Sequence, residues 1–485
     1  MHQSFRIETA YPLLRWPGKS PKDDSGVWHP ALYHMLDVAA CCEVLLDAFP
    51  FDEPTREALS LLVCLHDIGK VGEEFRRMIE DGDTDSYYFR HWELTEAYLY
   101  DHDEFMAGRL GCTGHGLRPM IDAVSGHHGR PSQRDADDHV RMIRRAGTLA
   151  AQDARHVIDL VFDLWPQARL QGLRSVEASY LSWWVAGLTT AADWIGSNPE
   201  WFPPTPATLA PAAYLDRARK QARDAVASAG LTPIPPSGDP VYDFELRPLQ
   251  SLVQTTELPD GPTLVVLEDD TGTGKTEAAV MLAQRMLRAG KGHGLFFALP
   301  TMATSDAMFA RLRQTAGGIF AGTPSLALAH GRAAFSAEFR SLIGAETGDS
   351  DDVTCAPWLA EGGRRALLAH VGVGTIDQAL KAVLPTKFNT LRMWALSRQI
   401  LIVDEVHELG DPYMKREMQE LLKAHALRGG SAILLTATLP LSDRQALIDA
   451  FHSGLGSDAP RLSSQAYPCL TVHDGRQAQP QCVSP

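Results

Sequence analysis

No window of this 485-residue sequence is long and apolar enough to span a bilayer. The longest candidate, Tyr180 to Ala192 (YLSWWVAGLTTAA), is too short and too polar. The N-terminus, MHQSFRIETAYPLLRWPGKS, lacks a charged start followed by an apolar stretch, so no secretion signal is read there. Cysteine is sparse, with seven residues and no CxxC pair. Free thiols in a reducing cytoplasm are the expectation, which excludes a disulfide-stapled secreted domain. Cations are outnumbered, 45 Lys and Arg against 60 Asp and Glu, for a net charge of −15 and a pI near 5.6. That balance argues against broad, non-specific coating of DNA but allows a channel with locally basic walls. DNA contacts would then be guided by motifs or delivered by a partner. The sequence contains no internal repeat.

What is present is an ordinary globular composition, 45% hydrophobic and 22% charged, with length for two to four domains. Two Pro-rich stretches, Asn198 to Pro211 and Leu231 to Pro240, resist helix and sheet and favour extended linkers. A domain boundary is placed near residue 235, with one helix, Ala212–Gly230, between the stretches. Before the boundary the apolar spacing is helical: Ala31–Phe49, Pro54–Leu65, His91–Tyr100, Met142–Val157 and Glu177–Ile195. After it, short apolar runs alternate with helical stretches: Thr263–Glu268, Gly294–Leu299, Gln399–Val403 and Ala432–Leu435. That rhythm predicts a parallel sheet with helices on both faces. Ala345–Asp352 (AETGDSDD) reads as an acidic surface loop.

Eleven of the 18 histidines fall in the first 200 residues. The informative ones are His34 in LYH, His66 beside Asp67 in CLHDIGK, His91 in RHWE, and His127 and His128 in SGHHG; Asp193 follows in AADWIG. Neutral imidazole and carboxylate are good ligands for divalent first-row metals. Asp67 has two oxygens and could bridge two ions, which at roughly 3.5–4 Å apart clamp a phosphodiester and activate water. Lys70, one helical step from Asp67, could hold a phosphate oxygen. A lone His-Asp pair would mean little, but the ordered set on helical segments is specific. His29, His102 and His115 read as capping or core histidines.

This region resembles the HD superfamily of phosphohydrolases. Through HDIGK, RHWELTEAYL and SGHHG it resembles, more narrowly, the HD domain of the CRISPR-associated nuclease–helicase of type I systems. The resemblance implies one metal site from His34, His66, Asp67 and Asp193, and a second from Asp67, His91, His127 and His128; another partition of the ligands stays open. The histidine-rich set favours manganese, iron, cobalt or nickel over magnesium there.

In the second half, TLVVLE-DDTGTGKT-EAAVML reads as strand, loop, helix. Gly272, Thr273 and Gly274 let backbone N–H groups approach phosphates, Lys275 would reach the β and γ phosphates, and Thr276 would hold magnesium. QILIVDEVHELG ends an apolar strand in Asp404, placed to bind magnesium, and Glu405, placed to polarise the attacking water. Gln250 in FELRPLQ stands where an adenine-reading glutamine is expected. Thr301 and Thr304 in ALPTMATSDAMF, and Gly374 and Thr375 in VGTIDQAL, offer hydroxyls and N–H groups to phosphates, although Thr301 could also be an ordinary strand-end threonine. Thr436 and Thr438 in LLTATLP stand where superfamily 2 helicases couple hydrolysis to strand movement. These motifs again resemble the type I nuclease–helicase, and the resemblance covers nearly the whole chain.

The fold class expected is multidomain: an all-α HD-type domain (1–235), an α/β P-loop, RecA-like first helicase lobe with a parallel sheet (236–460), and a disordered end (461–485). Two departures from the family pattern stand out. Asp269 and Asp270 occupy P-loop positions where carboxylates would repel a triphosphate unless turned outward. Too few residues follow LLTATLP for a second RecA-like lobe, so the sequence reads as truncated, as a fragment, or as relying on a separate chain for that lobe. The resemblance implies a two-metal, catalytic site with Asp67 and Lys70 acting on single-stranded DNA, ATP and magnesium in the lobe, a guide-RNA surveillance complex as partner, and no membrane. The rival expectations are an HD phosphohydrolase of nucleotides with a nucleotide-sensing lobe, and a docking fragment that does not cut.

Overall fold

The structure is a computed structural model describing residues 10–19, 27–81, 89–132, 134–173, 175–344 and 353–481. The chain divides into two units, Met1–Ala227 and Ser228–Pro485, a few residues before the boundary expected near 235. The expected acidic loop Ala345–Asp352 lies outside the described residues.

The first unit is helical: α1 (Ala31–Leu46), α2 (Glu53–Cys64), α3 (Glu73–Asp81), α4 (His91–Asp101), α5 (Asp103–Leu110), α6 (Gly114–Ser125), α7 (Ala136–Ala146), α8 (Thr148–Leu164), α9 (Ser175–Gly196) and α10 (Pro211–Ser228). A two-stranded ribbon, β1 (Pro17–Lys19) with β2 (His29–Pro30), precedes them. Local chemistry sets the helix starts. Asp52 caps α2 by accepting from Thr55 N at 3.1 Å, with Pro54 in the first turn, and Thr113 caps α6 the same way. The expected helix Met142–Val157 is two helices, because Gly147 at φ 99° and ψ 149° breaks the chain between α7 and α8. Alpha9 packs along α1 and α6, forming the core beneath the histidines. The first Pro-rich stretch is not a free linker. Leu209 exchanges two hydrogen bonds with the Tyr33 hydroxyl, and Thr205 N donates to His29 Nδ1 at 3.3 Å.

The second unit is built on one sheet in the order β10-β9-β3-β8-β7-β4-β6-β5. Six strands are parallel: β3 (Leu264–Glu268), β4 (Gly294–Leu299), β5 (Leu326–Ala329), β6 (Val371–Thr375), β7 (Gln399–Val403) and β8 (Ala432–Thr436). All six are fully buried, as expected for strands covered on both faces. The helices are α11 (Pro248–Thr255), α12 (Lys275–Arg288), α13 (Met302–Thr315), α14 (Ala337–Leu342), α15 (Pro357–Ala360), α16 (Ile376–Leu380), α17 (Asn389–Ser397), α18 (Pro412–Leu427) and α19 (Leu441–Leu455). The helical first half and the α/β second half are the fold class read from the sequence. Among the described residues no helix is long and apolar enough to cross a membrane.

Within the described residues 461–481, two strands correct the expectation of a disordered end, and residues 482–485 lie outside the described residues. Beta9 (Cys469–Val472) pairs antiparallel with β3, and β10 (Gln477–Ala478) pairs with β9. The polar composition concealed four buried residues, CLTV, that cover an otherwise open edge of β3. Behind them Arg444 and Glu268 form a buried ion pair, and Cys469 Sγ donates to Glu268 Oε2 at 3.4 Å. Leu470 is 1% exposed. Leu470→Ala is therefore expected to cost about 2–5 kcal/mol, the range for truncating a buried leucine, read as a lower urea midpoint for the second unit. An unchanged midpoint would mean that β9 is not part of its core.

Candidate metal centre and nucleotide site

Alpha2 ends at Cys64, and the His-Asp pair follows on a 3-10 turn, Leu65–Lys70, with Asp67 off helical geometry at φ −122° and ψ 22°. This kink lets His66 and Asp67 face the same point. Gly69 makes the next contact possible: a Cβ there would lie 1.9 Å from His91 O, so only glycine lets α4 close against the turn. Gly69 N donates to Thr95 Oγ1 at 2.9 Å, fixing the approach. His127 and His128 leave α6 on the 3-10 turn Gly126–His128, which Thr190 of α9 holds by donating to His127 O at 3.0 Å. His34 comes from α1 and Asp193 from α9.

Asp67 is 2% exposed, and its two oxygens face different histidines. Oδ2 lies 3.1 Å from His34 Nε2 and 3.5 Å from His66 Nε2; Oδ1 lies 3.4 Å from His91 Nε2 and 3.5 Å from His127 Nε2. His91 and His128 bring their Nε2 atoms within 3.0 Å, and Asp193 Oδ1 stands 3.7 Å from both His34 and His66. Two groups result, His34 with His66 and Asp67, and Asp67 with His91, His127 and His128. Ligands bound at about 2.0–2.2 Å sit about 3.0–3.5 Å from one another, the spacing found here.

Several atoms in this centre make no hydrogen bond within the protein. His66 Nε2, His127 Nε2 and Asp67 Oδ1 are buried without a hydrogen bond. His66 Nδ1 and His127 Nδ1 lie 2.9 and 2.8 Å from the carbonyls of Val63 and Val124, so each ring donates there and turns an Nε2 lone pair inward. Burial pushes His91 down to about 3 and His127 down to about 4, and lowers His34 and His128, keeping these imidazoles neutral. Burial also acts to lower His66, but Asp67 and Asp193 outweigh it and raise that residue. Burial would raise Asp67 and Asp193, yet Lys70 and the histidines hold Asp67 well below the carboxylate range, and His66, His127 and His34 hold Asp193 there. Orphaned nitrogens and an ionised carboxylate fit divalent metal.

Lys70 is not the free cation that its spacing promised. Its Nζ is 2.7 Å from Asp67 Oδ2, in a nearly enclosed pair. Sequence reasoning also missed Lys19, whose Nζ donates to Gly196 O at 3.3 Å, and Trp92, whose ring centroid is 4.6 Å from that of His128.

The motifs of the second unit lie at the C-terminal ends of the parallel strands, where α/β sheets bind ligands. Gln250, Gly272, Gly274, Lys275, Thr276, Asp404 and Glu405 line one cavity of about 620 Å³. Gln250 accepts from Arg247 N at 2.9 Å and donates to Gly274 O at 3.3 Å. Gly274 has φ 92°, and a Cβ there would meet Gln250 Nε2 at 2.3 Å. Thr273 donates to Asp270 O at 2.8 Å. Burial, then Glu405, raises Asp404. Glu405 adopts left-handed backbone, φ 50° and ψ 48°, and its Oε2 is 3.3 Å from His407 Nδ1. His407 also reaches Thr436 Oγ1 at 3.1 Å, linking two motifs that the sequence kept separate. The carboxylates of Asp269 and Asp270 do not line the cavity, and Asp270 Oδ1 instead accepts from the Tyr467 hydroxyl at 2.6 Å.

The structure does not bring the remaining motif residues into that cavity. Thr301 and Thr304 form a reciprocal cap on α13. Gly374 lies inside the sheet, where a Cβ would be 2.3 Å from Ala329 O, so it is a packing glycine; Thr375 beside it is also buried. Thr436 is buried and donates to Thr438 O at 3.1 Å. Arg311 and Arg247, which line the nucleotide cavity, were not anticipated; Arg247 could have been found next to Gln250.

The fold and the two sites define a class: a helical HD domain with a His/Asp cluster, joined to a P-loop lobe of helicase type. Residues 16–202 match the Cas3 HD domain family, and residues 248–447 match the DEAD/DEAH box helicase family. The CRISPR-associated endonuclease/helicase Cas3 of Escherichia coli is 31% identical, over 93% of this chain and 56% of that protein. The crystal structure of T. fusca Cas3-AMPPNP superposes with a TM-score of 0.79 at 26% identity, over 96% of this chain and 55% of that one. A chain of a CRISPR RNA-guided surveillance complex, pre-nicking, gives 0.68 at 25% identity, over 96% and 53%. The chain thus joins a Cas3-type HD domain to a DEAD/DEAH-type helicase domain, is similar to Cas3 proteins along most of its length, and spans about half the length of these relatives. HD and helicase domains together imply divalent metal and ATP.

Two outcomes follow from this geometry. Equilibrated with manganese and dialysed, the chain should hold about two ions by elemental analysis, Asp67→Ala close to none, and His128→Ala about one; equal contents in all three would reject a shared carboxylate. Gly274→Ala should weaken binding of a fluorescent ATP analogue at least about tenfold, since a side chain there opposes both φ and Gln250.

Proposed function

We propose that this chain is a metal-dependent nuclease of CRISPR interference that cuts single-stranded DNA, with a second unit that acts as the first ATP-binding lobe of a helicase. The observation that carries the reading is the division of the Asp67 carboxylate between two groups of buried or half-buried imidazoles. His34, His66, Asp67 and Asp193 would hold one ion, and Asp67, His91, His127 and His128 the other. The histidine content favours manganese, iron, cobalt or nickel. Bound ions of this kind supply the charge that neutralises a phosphodiester and acidifies water. Lys70 keeps Asp67 ionised, and Trp92 and Phe75 flank His128 and His91 as one wall of the site.

In the second unit, Gln250 would read adenine, the N–H groups of Gly272, Thr273 and Gly274 together with Lys275 would take phosphates, and Thr276 and Asp404 would hold magnesium, with Glu405 orienting water. Thr301, Thr304, Gly374, Thr375, Thr436 and Thr438 sit at or next to the strand ends of the face expected to follow a DNA strand. A second RecA-like lobe, on this or a separate chain, would complete the motor. The partner is a type I guide-RNA surveillance complex in the cytoplasm, as the similarity to a chain of such a complex supports.

The reading is tested on circular single-stranded DNA with manganese or nickel and no ATP. Nicking by the chain and at least a hundredfold loss in Asp67→Ala is the expected result. Bound metal without nicking, but with hydrolysis of mononucleotides, would replace it by the nucleotide-phosphohydrolase reading.

A further inference from the structure

Three acids stand in a row where β3 runs into the P-loop: Glu268, Asp269 and Asp270. Each is engaged differently. Glu268 is buried against Arg444. Asp269 Oδ1 accepts from Asp270 N at 2.8 Å, a bond within the loop itself. Asp270 Oδ1 accepts from the Tyr467 hydroxyl at 2.6 Å, across 197 positions of sequence. The sheet register dictates that last contact. Beta9 runs antiparallel to β3 with Cys469 opposite Glu268. Continued two residues past the ladder, the same register sets Tyr467 opposite Asp270. Period-two alternation brings both side chains to the face on which Cys469 Sγ meets Glu268 Oε2. Tyr467 is 39% exposed, but the segment that carries it is held. Gln445 of α19 donates to Pro460 O at 3.0 Å and accepts from Leu462 N at 2.8 Å, and Gln477 of β10 donates to Ser464 O at 3.4 Å.

The backbone of Asp270 is fixed in the loop. Its carbonyl accepts from Lys275 Nζ and from Thr273 Oγ1, each at 2.8 Å. What can turn is the side chain, and Lys275 is the cation that the loop holds beside it. A carboxylate released from Tyr467 would swing toward that ammonium. It would then oppose a triphosphate twice, by repelling it and by neutralising the lysine that should meet it. The tyrosine hydroxyl prevents this with a neutral donor, which adds no charge to the site.

We propose that Tyr467 is a positioning residue of the nucleotide site, which acts through Asp270 and sets affinity according to the phosphate charge of the nucleotide. Neither Tyr467 nor Asp270 lines the cavity, so the effect needs no contact with the nucleotide. The strand that closes the edge of β3 thereby also keeps an acidic P-loop open to anions. The inference rests on the reading of the second unit as an ATP-binding lobe.

The test uses the full chain with magnesium and fluorescent analogues of ATP and ADP, comparing wild type, Tyr467→Phe, Asp270→Asn and the double variant. Tyr467→Phe removes one hydroxyl from a half-exposed ring, so the fold should survive. At low salt it should weaken the ATP analogue about fivefold, the upper end for a surface charge interaction. The ADP analogue should weaken less, and both losses should shrink at high salt. Asp270→Asn should bind the ATP analogue at least as tightly as wild type, and in that background Tyr467→Phe should have no effect. Unchanged affinity in Tyr467→Phe overturns the proposal. So does an equal loss for both analogues, or a loss that persists beside Asp270→Asn, because a tyrosine that merely shapes the loop would give either. If wild type and Asp270→Asn both fail to bind either analogue, the ATP-binding reading falls and the proposal with it.

Discussion

The carboxylate of Asp67 sits where five elements of the first unit converge, and each of its oxygens is met by a different set of rings. Burial alone would protonate it, and a protonated carboxyl could serve neither set. Lys70 at 2.7 Å and the surrounding histidines reverse that tendency. Much of the local structure follows from this requirement: the kink after α2, the glycine that admits α4, and the backbone carbonyls that fix the tautomers of His66 and His127. Removing the anion would leave a buried ammonium and a ring of orphaned imidazoles, a larger disturbance than the loss of one ligand.

The second unit solves a different problem, that of holding short loops in order along the ends of parallel strands. Gln250 clasps the P-loop at Gly274 O, and Tyr467 draws the Asp270 carboxylate away from the cavity. His407 stands between Glu405 and Thr436. Glu405, between the strand that ends at Val403 and the 3-10 turn that starts at Val406, adopts a backbone conformation that costs of order 1–3 kcal/mol for a non-glycine residue.

Periodicity made most of this fold legible. Gly294–Leu299 and Gln399–Val403 are strands over the residues that their apolar runs marked, and α1, α2, α4 and α9 lie within a few residues of the helical stretches. What escaped was set by single residues or by distant partners. Gly147 divides a continuous apolar pattern, and CLTV in a polar tail becomes a strand because β3 has an open edge. The histidines of the first site were legible as a set, since the chemistry demands those residue types. The engagement of Lys70 by Asp67 and the capping role of Thr301 were not, because spacing reports reach and says nothing about which partner a side chain finds first. Arg311 and Lys19 gave no signal, because tertiary packing alone brings them in.

The P-loop lysine has a consequence of this same kind. Lys275 Nζ donates to the carbonyls of Asp269 and Asp270 at 2.7 and 2.8 Å, within the loop that it is expected to present to a triphosphate. Nucleotide entry therefore competes with the loop itself. The observed dissociation constant is the intrinsic one divided by the fraction of molecules in which the ammonium has let go. Affinity at this site is then adjustable without altering any group that touches the nucleotide, through whatever changes how often the loop releases its own lysine.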